Sequence, residues 1–351
     1  MNRLEVKDLV VRYGTGRHAL TAVDKVNLVV PQGGALGVVG ESGCGKSTLA
    51  RAIMGLVPIV SGEILLDGVD FTTATSRNSR EFRRRVQMVF QDPYASLNPR
   101  MNVGSAISQA AALRGVVGRK ERRAAVLHAL ELVGLDEVVL ARYPHQFSGG
   151  QRQRIAIARA LAVQPEVIIA DEITSALDVS VQATILNLLK GLEKDTGVSL
   201  IVISHDLSVV RYMSDQVAVM YLGEVVEYAN ALDLFERPQH PYTKALMKSI
   251  PKLGAVRQKA PLTGDLPDPR DPPSGCRFHT RCPMGPLHFP DRTICQEVDP
   301  QAIAHERIHL AACHFSAPSE SASATRSEEL FVTTKTAQYD SKEEGHDMES
   351  L

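Results

Sequence analysis

No apolar run in the chain approaches the roughly 18 residues needed to cross a bilayer as a helix, so any membrane role has to come through a partner. The start, Met1-Asn-Arg-Leu-Glu-Val, has no signal-peptide core, and the expected location is the cytoplasm. Neither charge is in surplus. The 39 Lys and Arg face 40 Asp and Glu, which leaves no electrostatic footprint for nucleic acid. Internal repeats are absent as well. Cysteine is scarce, with five residues, one at 44 and four between 276 and 313. In a cytosolic chain such a cluster reads as metal binding before it reads as disulfides. What the chain does have is core material. A 44% hydrophobic content over 351 residues suits one large domain with an appendage.

Short Val- and Ile-rich runs at 35–39, 167–170 and 200–203 are bounded by polar or turn residues, the pattern of buried parallel strands. Amphipathic helical stretches such as Lys120–Val133 and Val179–Thr196 lie between them. The alternation predicts an α/β fold with a central sheet. The stretch from about 92 to 165 has helical periodicity and no core strand, which predicts a helical subdomain inserted into that fold. Residues 1–34 and 59–72 read as flanking antiparallel strands. After about 240, prolines at 238, 241, 251, 261, 267, 269, 272 and 273 break up any long element, and the cysteine segment follows. From Ser316 the composition of Ser, Thr, Glu and Lys predicts a disordered acidic tail. The expected divisions are 1–240, 241–315 and 316–351.

The chemistry begins at Gly40-Glu-Ser42-Gly43-Cys44-Gly45-Lys46-Ser47-Thr48, directly after the strand Ala35–Val39. Its glycines let the backbone turn so that N–H groups face phosphate oxygens, and the helix that starts near Lys46 adds its positive end. Lys46 is expected on the β- and γ-phosphates, with the Ser47 hydroxyl on Mg²⁺. Cys44 reads as a small buried residue. The strand Val167–Ala170 runs into Asp171 and Glu172. Asp171 is placed to hold the magnesium shell through water and Glu172 to polarise an attacking water, although an acidic pair at a strand end also serves as a helix cap. His205 follows the next apolar strand, on the edge where open α/β sheets bind ligands, which favours a γ-phosphate contact. Gln91 leaves a strand for the helical part, where it can meet both Mg²⁺ and a moving interface.

Together with Phe147-Ser148-Gly149-Gly150-Gln151 and Ser175-Ala-Leu-Asp178, these residues resemble the P-loop ATPases of the ABC family over residues 1 to about 240. The resemblance implies ATP as ligand, with Tyr13 stacking on adenine. It also implies a head-to-tail dimer with a second ABC ATPase, in which Ser148, Gly149 and Gly150 contact the γ-phosphate held by the partner. One position departs from the pattern. The family usually has proline after the glutamate, and this chain has Ile173. Loss of a fixed φ predicts a looser loop and reduced turnover.

Phe90-Gln-Asp-Pro-Tyr-Ala-Ser-Leu-Asn-Pro99, His240-Pro-Tyr-Thr243 and Gly275-Cys276-Arg-Phe-His-Thr-Arg-Cys282-Pro283 are similar to the ATPase subunits of bacterial dipeptide/oligopeptide importers, more to the F-type of the two. That likeness implies two transmembrane permease subunits, an external solute-binding protein and a peripheral place on the cytoplasmic face of the inner membrane. Relatives of these subunits also serve nickel and glutathione. Cys276, Cys282, Cys295 and Cys313 suit tetrahedral Zn²⁺ or an iron–sulfur cluster. Their spacing lacks the paired C-x₂-C of common zinc sites, and some importer ATPases carry a [4Fe–4S] cluster here. Four free cysteines around a loop-rich lobe is the alternative, and His279, His288 and His314 read as polar surface. Two other functions stay open: a soluble ABC ATPase acting on ribosomes or DNA, and a non-hydrolysing regulatory module.

Overall fold

The computed structural model describes residues 2–16, 19–73, 76–115, 118–175, 177–249, 264–300, 302–306 and 309–316. The expected tail from 317 onwards lies outside them. Twelve strands among the described residues form two sheets. In chain order the first elements are β1 (Asn2–Tyr13), β2 (Leu20–Pro31), β3 (Ala35–Val39), α1 (Lys46–Ile53), β4 (Ser61–Leu66), β5 (Val69–Asp70), α2 (Ser76–Arg85) and β6 (Val86–Val89). Next come α3 (Pro93–Ser96), α4 (Val103–Leu113), α5 (Arg119–Leu132), α6 (Gly149–Leu161), β7 (Val167–Asp171), α7 (Val179–Thr196) and β8 (Ser199–Ser204). The chain continues through α8 (Leu207–Met213), β9 (Gln216–Tyr221), β10 (Glu224–Asn230), α9 (Ala231–Glu236) and α10 (Pro241–Ser249). It closes with α11 (Ile294–Glu297), β11 (Ala302–Glu306) and β12 (His309–Ala312).

The three apolar runs are β3, β7 and β8. Every residue of these strands is buried, as parallel strands covered on both faces require. They form the parallel block β9-β3-β8-β7-β6. Residues 2–70 supply the antiparallel sheet β2-β1-β4-β5. Arg3 on β1 and Arg85 at the end of α2 both pair with Glu166, at 2.8 and 2.7 Å, which ties this sheet to the entry of β7.

Between β6 and β7 the described residues hold helices and turns and no strand. There α4 starts on Asn102, whose side chain accepts from the Ser105 N–H at 2.8 Å. The helix expected over 120–133 is α5, and α7 covers the residues expected of it, ending on Gly197 with φ of +69°.

The C-terminal part contributes to the central sheet as well. A hairpin, β11–β12, pairs antiparallel with itself and adds to the central sheet through Tyr228↔Leu310 and Glu227↔Ala311. The chain beyond 240 therefore returns to the main sheet and covers the edge that β10 would expose. No helix among the described residues is long and apolar enough to cross a membrane.

Candidate nucleotide site

The phosphate loop spans β3 and α1, as its sequence predicts, and two of its glycines are fixed by close approach. Gly45 has φ of +108°, and an added Cβ would collide with the Ala22 carbonyl oxygen. At Gly40 it would collide with the Met220 carbonyl oxygen on β9. Lys46 is 4% exposed, and its Nζ donates to the carbonyls of Gly40 and Glu41 at 2.9 and 3.0 Å. Cys44 is buried as expected, and burial raises its thiol pKa, which keeps it an unreactive thiol. Ser42 and Gly43 are exposed at the loop crown, while Thr48 follows Ser47 into α1.

The strand ends bring four more residues to this loop. The Ser47 hydroxyl donates to Asp171 Oδ1 at 3.0 Å. Burial of Asp171 raises its pKa, opposed by the Ser47 hydrogen bond and by the charges of Arg51 and Lys46. A buried carboxylate beside a hydroxyl, costly to ionise alone, fits a divalent cation held there. Glu172 Oε2 accepts from Gln91 Nε2 at 3.1 Å, and its Oε1 lies 3.3 Å from His205 Nδ1. Arg51, Phe90, Gln91, Asp92, Ser96 and Asp171 line one cleft. Arg51 was not singled out from the sequence, since a lone arginine on a helix carries no motif.

Glu172 has φ of +47°, a left-handed conformation rare outside glycine. It is held on both sides. Its N–H donates to the Ile203 carbonyl at 2.9 Å, and its carbonyl accepts from the Ser175 hydroxyl at 2.9 Å. Ile173, in place of the expected proline, is 5% exposed and packs in the core with residues of α6 and α7.

Ser148 caps α6: its side chain accepts from the Gln151 N–H, and Gln151 Oε1 accepts from the Ser148 N–H. Ser148 and Gln151 are exposed and Gly149 and Gly150 half-buried, so the stretch faces outward at a helix N-terminus. Asp178 precedes α7 and is exposed, and Tyr13 ends β1 with 36% exposure. Among the described residues, Ser148 and Gln151 bond to each other, and the stretch opens α6 away from the Lys46–Asp171 cluster.

The four clustered cysteines are free, and Cys282, Cys295 and Cys313 are buried. Burial pushes the Cys276 thiol up to about 12 and the Cys282 thiol up to about 11, and the other cysteines of the cluster add to both rises. Cys295 and Cys313 rise for the same first reason. The thiols therefore share one electrostatic neighbourhood. Among the described residues, however, no group of three or more His, Cys, Asp or Glu side chains is arranged to hold a metal ion.

A phosphate loop joined through strand ends to an acidic pair, a glutamine and a histidine, with an outward-facing Ser-Gly-Gly helix start, defines an ABC-type ATPase. The comparisons agree. The ABC transporter family model matches residues 23–175, and the model for the C-terminal region of oligopeptide/dipeptide transporters matches 226–286. A Brucella ovis relative, named for a peptide-import ATP-binding role, is 47% identical over 312 residues, 88% of this chain and 96% of its own. The oligopeptide transport ATP-binding protein AppF of Bacillus subtilis is 47% identical over 298 residues, 84% and 89% of the two chains. A solved dimeric ATP-binding cassette, in a post-hydrolysis state with ADP and Pi, superposes with TM-score 0.59 at 31% identity, over 65% of this chain and 98% of that one. Another, CbiO1 of Clostridium perfringens, reaches 0.61 at 30% identity, over 68% and 93%. The chain belongs to the ABC transporter ATP-binding proteins, in the oligopeptide/dipeptide transporter family.

Proposed function

We propose that this chain hydrolyses ATP to drive peptide import, as a peripheral subunit on the cytoplasmic face of the inner membrane. Its partners are a second ABC ATPase, two transmembrane permease subunits and an external solute-binding protein. The observation that carries this reading is the convergence of Lys46, Ser47, Gln91, Asp171, Glu172 and His205 in a chain whose 226–286 segment matches the peptide-transporter C-terminal region.

The roles follow from position. Lys46 and the loop N–H groups, with α1 behind them, hold the β- and γ-phosphates. Ser47, Gln91 and Asp171 would hold Mg²⁺, which would neutralise triphosphate charge. Glu172 takes the proton of the attacking water, and His205, 3.3 Å away, orients it and meets the γ-phosphate. Tyr13 stacks on adenine. Ser148, Gly149, Gly150 and Gln151 close over the nucleotide of the partner ATPase, and Asp178 lies at that interface. Gln91 links Glu172 to the helical part, where a permease docks. Cys276, Cys282, Cys295 and Cys313 hold a [4Fe–4S] cluster or Zn²⁺. Four cysteines within one short segment support this, against a described arrangement that forms no metal site, and iron, sulfide and zinc content of anaerobically purified protein tests it.

Glu172→Gln tests the chemistry. It keeps the hydrogen-bonding shape and removes the base, so ATP binding persists while turnover falls by about 10²-fold or more. Turnover near wild type would remove Glu172 from its role.

A further inference from the structure

The C-terminal lobe grips the phosphate loop. Arg281, one residue before Cys282, reaches Glu41, one residue after Gly40. Its Nη1 lies 2.8 Å from Glu41 Oε2 and its Nη2 3.2 Å from Oε1, a bidentate fork, with the Arg281 side chain 7% exposed. The Glu41 backbone is held as well, since its N–H donates to the Tyr242 hydroxyl at 3.0 Å. Tyr242 is fully buried in an aromatic cluster with Tyr221 and with Phe278 of the cysteine segment, ring centroids 4.8 to 5.3 Å apart. The Glu41 carbonyl in turn accepts from Lys46. A continuous path thus runs from the cysteine segment through Arg281 and Glu41 to the lysine of the phosphate site.

We infer that Arg281 is a positioning residue for nucleotide binding, which acts by neutralising and clamping Glu41. A carboxylate inside a phosphate loop opposes the triphosphate that the loop must hold, and a partly buried charge is screened little by salt. The Arg281 fork cancels that charge and fixes the segment whose carbonyls hold Lys46. Because the clamp comes from the lobe, the packing of the cysteine segment sets ATP affinity. By linkage, nucleotide binding stabilises the lobe to the same extent. This rests on the phosphate-loop reading alone and not on the cargo.

The test is the Kd for ATP–Mg²⁺, by calorimetry, of the wild type, Arg281→Gln, Glu41→Gln and the double variant, with thermal melts to establish folding. Binding of ATP by the wild type checks the phosphate-loop reading separately. We expect Arg281→Gln to weaken binding about tenfold and Glu41→Gln in the same chain to recover most of that loss, the coupling of two groups in contact. A purely structural pair would show its loss and its rescue in the melts, and not in the Kd of the folded variants. If Arg281→Gln does not fold, Arg281→Lys replaces it, with about threefold weakening that Glu41→Gln again recovers. Unchanged affinity in the arginine variant, or a double variant as weak as the single, would overturn the inference.

Discussion

Arg277 carries an unusual load for a single side chain. It pairs with Asp24 and, at 2.8 Å, with Glu224, where Asp299 adds further negative charge. Burial pushes Glu224 up to about 7, against the pull of Arg277. A carboxyl that holds its proton more tightly folded than unfolded stabilises the fold below its unfolded value of 4.5. That contribution is lost as pH rises through about 7. Melting temperature should therefore fall between these two values, and Glu224→Gln, which cannot titrate, should flatten the slope in a pH series of thermal melts. An unchanged slope would place the titration elsewhere. The same scale shows what the sequence told plainly and what it hid. The phosphate loop, the acidic pair and the histidine were legible because each is a short local pattern at the end of an apolar strand. Arg281 was not, because its partner lies 240 residues away and neither residue forms a motif alone.

Among the elements, the parallel strands and long helices followed their apolar periodicity, and β11–β12 did not. Two short strands after a proline-rich stretch give too few residues to establish a period, and their place is set by what they cover. His309 on β12 lies 2.7 Å from Glu227 on β10, and both are almost fully buried. Glu227 also accepts from the N–H groups of Gln239 and His240. His309→Leu removes one partner of a buried pair and should cost about 3 kcal/mol in urea unfolding. A loss under about 1 kcal/mol would mean that the backbone donors satisfy Glu227 unaided. Ile173 makes the same point about context. Read as a missing proline it predicted a loose loop, whereas in the folded chain it is a core residue. Ile173→Ala should destabilise by about 2–4 kcal/mol in the same assay, and stability within about 0.5 kcal/mol of wild type would show that the core does not anchor this turn.

In the whole molecule, one face gathers Lys46, Gln91, Asp171, Glu172 and His205 from the ends of β3, β6, β7 and β8, and the C-terminal lobe closes on the loop from the β9 side. In the proposed function the outward Ser148–Gln151 helix start closes over the nucleotide of a second ATPase. The most direct test uses the complex that co-purifies with the tagged chain from native membranes in mild detergent, reconstituted into vesicles and assayed for peptide uptake. The expected result is a second ATPase and two polytopic membrane proteins in the complex, and peptide accumulation that requires ATP and is lost with Glu172→Gln. Ribosomal or DNA-bound partners, or uptake that proceeds equally without ATP, would contradict it.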